Sequence, residues 1–524
     1  VNPFPRRATM LAAAVLVAAA AVFAIPTTAL AAAVEDDGAD CPVPPSNAIS
    51  SSQLPDPFTR IDGTRITTTG DWRCRRAEIR EMAERHVYGQ KPAKPATVGG
   101  TVSSSNITVN VTDQGRAASF GASVQLPTTG SAPYPAVVVI GGFGADTTTI
   151  RNSGAAVISF DPLAVGREGT GRANKQGAFY TLYGSTSSTG ILMAWAWGVS
   201  RIIDVVEQSG GSVLRADSLG VTGCSRYGKG AFTAGAFDQR LALTMPIESG
   251  TGGVPIWRGV PGESGAQPLS SAYGEQPWLG DAFGSFTGNP NGLPLDTHEI
   301  VGLVAPRGLF IMENPHVDWL AARSGSVAAL GGAEVYKALG AGGNISYWSD
   351  VSDGTHCAAR SEWRGPLQQN IQRFLLKTGG GTGAFRISSR KQGDLAQWRS
   401  WLTPSLTGGP VSPPPSSPPP SSPPPSSPPP SSPPPAGSCT ATITPGTVWG
   451  DRYNTSVTVA GSTNWTVTVA ITSPQQVTTT WSGAFTNSGG TLTVRPNGSG
   501  STFGFTTMMN GNTSARPRIV ACTT

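Results

Sequence analysis

The chain has 524 residues and a formal net charge of +5, too long for one ordinary domain and without a basic block of the kind that binds nucleic acid. Charged residues make up only 13% and apolar residues 38%, which is enough apolar surface for a core. None of the six cysteines has C-x-x-C spacing, so a zinc site is not expected, and no organic cofactor is implied.

Residues 1–33 read as an export signal. Arg6 and Arg7 precede the apolar run "MLAAAVLVAAAAVFAI" (10–25), and "ALAAA" (29–33) offers small-residue cleavage positions. The run is shorter than the roughly 20 residues of a bilayer span, so the protein is expected to be secreted, with no membrane partner. Export permits disulfides. The cysteines fall into the pairs Cys41 with Cys74, Cys224 with Cys357, and Cys439 with Cys522, one of the roughly 15 connectivities that six cysteines allow.

Residues 41–406 mix two patterns. "YPAVVVIGGFG" (134–144) is a buried strand ending in glycines, and "TGILMAWAWGVSRIIDVVEQ" (189–208) has helical periodicity. "SLGVTGCS" (218–225) runs from strand into turn, and "RGLFIMEN" (307–314) is a further strand. This alternation predicts an α/β unit: a mostly parallel sheet between two helical layers, the αβα sandwich of α/β-hydrolases. Catalytic groups in such a unit stand at the carboxyl ends of the strands.

A Pro/Ser-rich linker follows over residues 407–438, with a PPPSS repeat from 412 onward. That composition favours extended polyproline II with a reach on the order of 70 Å. In residues 439–524, "TSVTVAG", "WTVTVAI" and "GTLTVRP" alternate at period two between turn residues. They predict a small β-sandwich whose ends Cys439 and Cys522 would tie together.

The chemistry centres on "VTGCSRYGKG" (221–230). Ser225 sits at a strand-to-turn junction as in a nucleophile elbow, but Tyr227 stands where the usual G-x-S-x-G pattern has its second glycine. A serine needs a base, and α/β-hydrolases order the chain Ser, acid, His. Of the four histidines, His86 precedes Ser225 and ends a helix-like run, His298 begins one, and His316 follows a strand. His356, in the late loop "SDGTHCAAR", has the position expected of the base. A Cys224–Cys357 bridge would staple elbow to base loop. For the acid, Glu248 in "MPIESGTGG", and Glu313 and Asp318 in "FIMENPHVDWL", all remain open. Oxyanion donors would be the Arg226 backbone N–H, the "GGFG" loop (141–144) and the Arg226 guanidinium.

"GCSRYGKGA" resembles the G-C-S-R-N-G-K-G-A signature of glucuronoyl esterases, carbohydrate esterase family 15. "ESGTGG" followed by "WR", "VAPRGLFIMENPHVDWL" and "GTHCA" resemble further segments of that family, in order, over about residues 41–380. The resemblance implies hydrolysis of esters between (4-O-methyl-)glucuronic acid on xylan and lignin alcohols. It implies Ser225 as nucleophile, His356 as base, Glu248 as acid and Arg226 at the oxyanion, with Lys229, Gln267, Glu275 and Trp319 holding the uronate. It also implies the 41–74 and 224–357 disulfides. A third bridge of fungal members is absent, since Ile256 and Ala328 occupy its places, and Tyr227 replaces the fungal Asn.

The C-terminal segment resembles family 2 carbohydrate-binding modules, with Trp449, Trp465 and Trp481 at the tryptophan positions. Trp465 is expected in the core, and Trp449 and Trp481 on the surface. Arg452 in "VWGDRY" resembles the xylan-binding subfamily, so glucuronoxylan is the expected partner of both units, with cellulose a weaker candidate. Acetyl xylan or feruloyl esterase activity and a non-enzymatic polysaccharide adhesin are the competing functions.

Overall fold

The computed structural model describes residues 1, 34–45, 50–408, 439–448, 452–488, 490–497, 501–513 and 515–523. The export segment from residue 2 on, the PPPSS repeat and Trp449 lie outside the described residues. Residues 34–408 are organised by one sheet of β1 (Thr97–Val102), β2 (Asn106–Asp113), β3 (Arg116–Gln125), β4 (Tyr134–Ile140), β5 (Ala156–Phe160), β6 (Leu214–Cys224), β7 (Leu241–Ile247), β8 (Gly308–Met312), β9 (Ile345–Trp348) and β10 (Phe385–Arg386). Their spatial order is β1-β2-β3-β5-β4-β6-β7-β8-β9-β10. Pairing is parallel from β5 through β10 and antiparallel from β1 to β5. The helices are α1 (Thr69–Ala83), α2 (Thr147–Asn152), α3 (Ala178–Tyr183), α4 (Ile191–Gln208), α5 (Arg226–Phe237), α6 (Leu269–Glu275), α7 (Thr297–Val304), α8 (Ala322–Ala338) and α9 (Ser361–Ile371).

The run "AVVVI" explains the layering. Side chains alternate across a strand, and both faces of β4 are covered. Val138 and Ile140 enter the core that contains Trp195 of α4 and Phe232 of α5. Val137 and Val139 enter a second core with Ile150 of α2 and Trp363, Leu367 and Ile371 of α9. Each such side chain contributes about 1.5–3 kcal/mol by leaving water. The expected αβα sandwich is therefore present. Helix α4 is buried from Ile191 to Val206, as a mostly apolar helix must be, and its buried Arg201 and Asp204 pair at 2.7 Å.

Two features differ from the sequence reading. The antiparallel strands β1 to β3 were not marked by long apolar runs, because β2 buries only Ile107, Val109 and Val111 and turns Thr and Asn outward. The folded unit also starts before residue 41: Glu35 pairs with Lys91 at 2.7 Å and with Arg201, and Asp37 pairs with Arg73 at 2.6 Å. Charge pairing holds this segment, so no hydrophobic period announces it. At the other end, Thr407 bridges to Thr68.

The C-terminal strands are β11 (Thr440–Val448), β12 (Arg452–Ala460), β13 (Thr466–Ala470), β14 (Gln476–Trp481), β15 (Ala484–Ser488), β16 (Thr491–Arg495), β17 (Thr502–Met508) and β18 (Arg518–Thr523). They form two antiparallel sheets, β11-β12-β17-β14 and β15-β16-β13-β18, which share a core of Val457, Val459, Val467, Leu492, Phe503 and Phe505. Trp465 is buried there and stacks on Phe503 at 5.5 Å. Disulfides join Cys41 to Cys74, Cys224 to Cys357 and Cys439 to Cys522. Among the described residues no helix is long and apolar enough to cross a membrane.

His298, at the start of α7, is a core residue. It is fully buried, stacks on Trp401 and places Nε2 2.9 Å from the Pro55 carbonyl. Burial pushes its pKa down to about 4, with the nearby Arg258 acting in the same direction against Asp296 and Asp56. An unfolded histidine titrates near 6.5, so between those values the unfolded chain binds a proton that the folded chain refuses. This contribution is complete above about pH 6.5 and is lost as pH falls toward 4. The urea midpoint of the unit is expected to drop over that window, and His298→Gln is expected to flatten the slope. An unchanged slope would contradict this.

Candidate active site

The sheet brings three loop positions together at its carboxyl edge. Ser225 joins β6 to α5 with φ 60° and ψ −126°, a conformation a non-glycine residue holds only when its surroundings enforce it. The Ser225 N–H donates to the Ile247 carbonyl at 2.9 Å, and the Ser225 carbonyl accepts from the Lys229 N–H at 3.0 Å.

The odd elbow spacing now has a cause. A Cβ at Gly223 would meet the Tyr227 carbonyl oxygen at 2.6 Å, and one at Gly228 would meet the Ile247 carbonyl oxygen at 2.5 Å. Close approach of α5 to β7 thus falls to Gly228, one residue later than the usual motif. That frees Tyr227 to carry a side chain. Its ring lies against Gly141, where a Cβ would be 2.1 Å away, and between Trp195 (5.5 Å) and Phe143 (5.3 Å). Tyr227 therefore supports the Gly141–Gly144 loop beside Ser225.

Glu248 follows β7 with φ 43°, a left-handed turn that aims its side chain inward. The carboxylate is fully buried. Its Oε2 lies 2.6 Å from His356 Nδ1 and accepts from the Cys357 N–H at 2.9 Å. Asn314 Nδ2 at 3.4 Å and Arg360 Nε at 3.7 Å face Oε1. Arg360 also donates to the Thr355 carbonyl at 2.6 Å and pairs with Asp353 at 3.2 Å, which braces the loop that carries His356. The Cys224–Cys357 bridge ties the residue before Ser225 to the residue after His356. Gly144 lets the early loop reach this bridge: a Cβ there would be 2.4 Å from the Cys224 Cβ.

The other acids lie elsewhere. Glu313 is fully buried, 3.5 Å from Ser249 Oγ, with Oε2 unpartnered. Burial and the neighbouring Glu248 push its pKa well above the carboxylate range. Asp318 is exposed and pairs with Lys391 at 2.9 Å. His316 Nε2–H donates to the Val351 carbonyl, 2.9 Å away, and His86 packs edge-on against Phe286.

Ser225 and His356 line one cavity of about 480 Å³ together with Arg226, Lys229, Gln267, Glu275, Trp278 and Trp319. Lys229 is buried, donates to the Ser249 carbonyl and sits 5.2 Å above the Trp278 ring; burial lowers its pKa to about 8. Gln267 donates to Glu275 at 2.8 Å. Trp319 is 53% exposed and meets the His356 ring edge-on at 5.9 Å. A larger cavity, about 1070 Å³, opens at the amino ends of β8 and β9 among Trp72, Arg307 and Asn344. No histidine lines it, so it offers no base for a serine. Trp278, in the cavity wall, and Glu168, which pairs with Arg226 at 3.1 Å, were not singled out by the sequence. Glu168 lies in "GREGTGR", far from the elbow motif, and nothing in its spacing ties it to Ser225.

In the C-terminal sheets Trp481 is 39% exposed and lies over Gly504, where a Cβ would come 2.3 Å from the indole. Arg452 is exposed at the start of β12.

A family model for fungal glucuronyl esterases matches residues 109–340. A 4-O-methyl-glucuronoyl methylesterase of Podospora anserina is 39% identical over 383 residues, 70% of this chain and 78% of the relative. One of Neurospora crassa is 40% identical over 361 residues, 68% of this chain and 90% of the relative. The glucuronoyl esterase catalytic domain of Hypocrea jecorina has 36% identity and a TM-score of 0.66, covering 70% of this chain and all of that one. A serine-to-alanine variant of the Sporotrichum thermophile glucuronoyl esterase, solved with methyl 4-O-methyl-β-D-glucopyranuronate, has 36% identity and a TM-score of 0.65, with 70% of this chain covered. With these similarities over the α/β unit, the chain belongs to the glucuronoyl esterase family and is a carboxylic ester hydrolase.

Proposed function

We propose that this chain hydrolyses esters in which glucuronic or 4-O-methylglucuronic acid is the acyl side, through an acyl-enzyme on Ser225. The observation that carries this reading is the 2.6 Å contact of His356 Nδ1 with buried Glu248, in the wall of the cavity that also holds Ser225. With Nδ1–H donating to Glu248, Nε2 keeps the lone pair that accepts the Ser225 proton. Serine Oγ attacks the ester carbonyl carbon. The resulting oxyanion is met by the Arg226 N–H, the Gly141–Gly144 loop and the Arg226 guanidinium. The Glu248 carboxylate stabilises the imidazolium. The imidazolium then protonates the departing alcohol, and water, deprotonated by the same nitrogen, releases the glucuronate.

Lys229, Gln267 and Glu275 are hydrogen-bonding groups for the sugar hydroxyls, and the exposed face of Trp319 covers an apolar sugar edge. The natural substrates are uronoyl esters joining xylan to lignin alcohols. The protein is exported by its first 33 residues; its three disulfides suit an oxidising compartment. Ser225→Ala is expected to abolish alcohol release from benzyl glucuronate. The wild-type chain is expected to turn over benzyl or methyl glucuronate faster than acetylated xylan or methyl ferulate. Activity in the alanine variant, or a preference for acetyl or feruloyl esters, would overturn the reading.

The C-terminal strands act as a xylan-binding module at the end of the Pro-rich linker. Gly504 leaves room for the Trp481 indole, which is 39% exposed, and an exposed indole can stack on a pyranose. In pull-downs of the full chain on insoluble xylan, Trp481→Ala is expected to weaken retention about tenfold, as loss of a stacking contact of about 1.5 kcal/mol implies. Equal or stronger retention of the wild-type chain on crystalline cellulose would contradict the assignment to xylan.

A further inference from the structure

Arg226 is the first residue of α5 and its guanidinium faces the cavity, partly exposed. Among the described residues its carboxylate partner is Glu168. Arg226 NH1 donates to Glu168 Oε2 at 3.1 Å, and the other oxygen, Oε1, accepts from Trp278 Nε1 at 2.6 Å. Glu168 is largely buried and Trp278 is almost wholly so. The indole ring has the Arg226 guanidinium 5.9 Å away and the Lys229 ammonium 5.2 Å away. One carboxylate thus joins the helix that follows the nucleophile to the segment that carries Glu275.

The loop bearing Glu168 is itself bolted down. Arg172 donates to the carbonyls of Leu279 (2.7 Å) and Tyr273 (2.6 Å), and its guanidinium lies 3.5 Å above the Tyr273 ring. The Gly169 N–H donates to Gln276 Oε1 at 2.6 Å, and Lys175 donates to the Ser187 carbonyl at 2.7 Å. Glu168 is therefore a fixed acceptor.

We propose that Glu168 is the positioning residue for Arg226: it holds the guanidinium at the oxyanion position and balances its charge, so that the anionic product is not retained. This rests on the reading that Arg226 faces the oxyanion. A free arginine side chain loses much rotamer freedom when its guanidinium is fixed at one place. Donors fixed before the reaction need no reorganisation when charge develops. The substrate ester is neutral at the reacting carbon, whereas the product is a carboxylate. An unpaired guanidinium beside it would favour the product over the substrate. With Glu168 in place, the charges of Arg226 and Glu168 cancel at the cavity wall.

The test is steady-state kinetics of the full chain on benzyl glucuronate, with free glucuronate as inhibitor. Glu168→Gln keeps an oxygen for Trp278 but loses the charge. It is expected to lower kcat about tenfold with KM within about twofold, a loss smaller than the removal of an oxyanion donor. Glucuronate is expected to inhibit it more strongly than the wild type. In the Arg226→Ala background, Glu168→Gln is expected to add nothing further. Trp278→Phe, which removes only the N–H, is expected to shift kcat in the same direction by less, and guards against a misfolded Gln variant. If Arg226→Ala itself leaves kcat unchanged, the oxyanion reading fails. If Arg226→Ala is damaging but Glu168→Gln has wild-type kcat, additive effects or unaltered product inhibition, the inference about Glu168 fails.

Discussion

A fully buried carboxylate, Glu248, is the constraint on which the site depends. An ionised carboxylate in a dry interior is costly unless its lone pairs are met. Here Oε2 meets the His356 ring and the Cys357 N–H, while Asn314 and Arg360 stand near Oε1. Those partners come from β8's exit and from the loop after β9, so meeting the carboxylate also places the histidine. The left-handed turns at Ser225, Glu248 and Cys357 are the local strain that this arrangement holds in place.

The disulfide between Cys224 and Cys357 does a different job. The carboxylate orients the imidazole; the covalent bridge fixes how far the histidine loop stands from the elbow. Glycines make room for both. Gly144 allows the early loop to touch the bridge, and Gly228 allows α5 to press on β7. With Gly228 in that role, Tyr227 is released to prop the loop that carries Phe143. The departure from the common elbow motif is thus a redistribution of the same steric task by one residue.

Much of this was legible in the sequence, for identifiable reasons. The strand "AVVVI" is buried on both faces, so its apolar run is unbroken, and the helix is buried from Ile191 to Val206, so its apolar residues dominate despite Ser200, Arg201 and Asp204. Ser225 and His356 could be singled out because elbow sequence and chain order restrict the choice among few histidines, and the fold brings both to one cavity. The acid was not decidable from the residues alone: Glu248 and Glu313 both follow strands, and only the sheet order and the inward turn at Glu248 separate them. The family resemblance pointed to Glu248, and the geometry brings that residue to His356. Glu168 left no trace, since its partners Arg226 and Trp278 are distant in sequence. The N-terminal segment from Glu35 escaped notice because ion pairs, with no periodicity, anchor it.

The division of labour between two buried acids is the most direct point of attack. Burial and the neighbouring Glu248 push the Glu313 pKa well above the carboxylate range, so an amide is expected to be a close replica of it; the role proposed for Glu248 needs its charge. The deciding measurement is kcat/KM on benzyl glucuronate for Glu248→Gln and Glu313→Gln. The account predicts a loss of roughly 10³–10⁴-fold for the first, the scale seen when a triad carboxylate becomes an amide, and no more than about a tenfold loss for the second. A Glu248→Gln enzyme near wild-type activity, or a greater loss in Glu313→Gln, would contradict it.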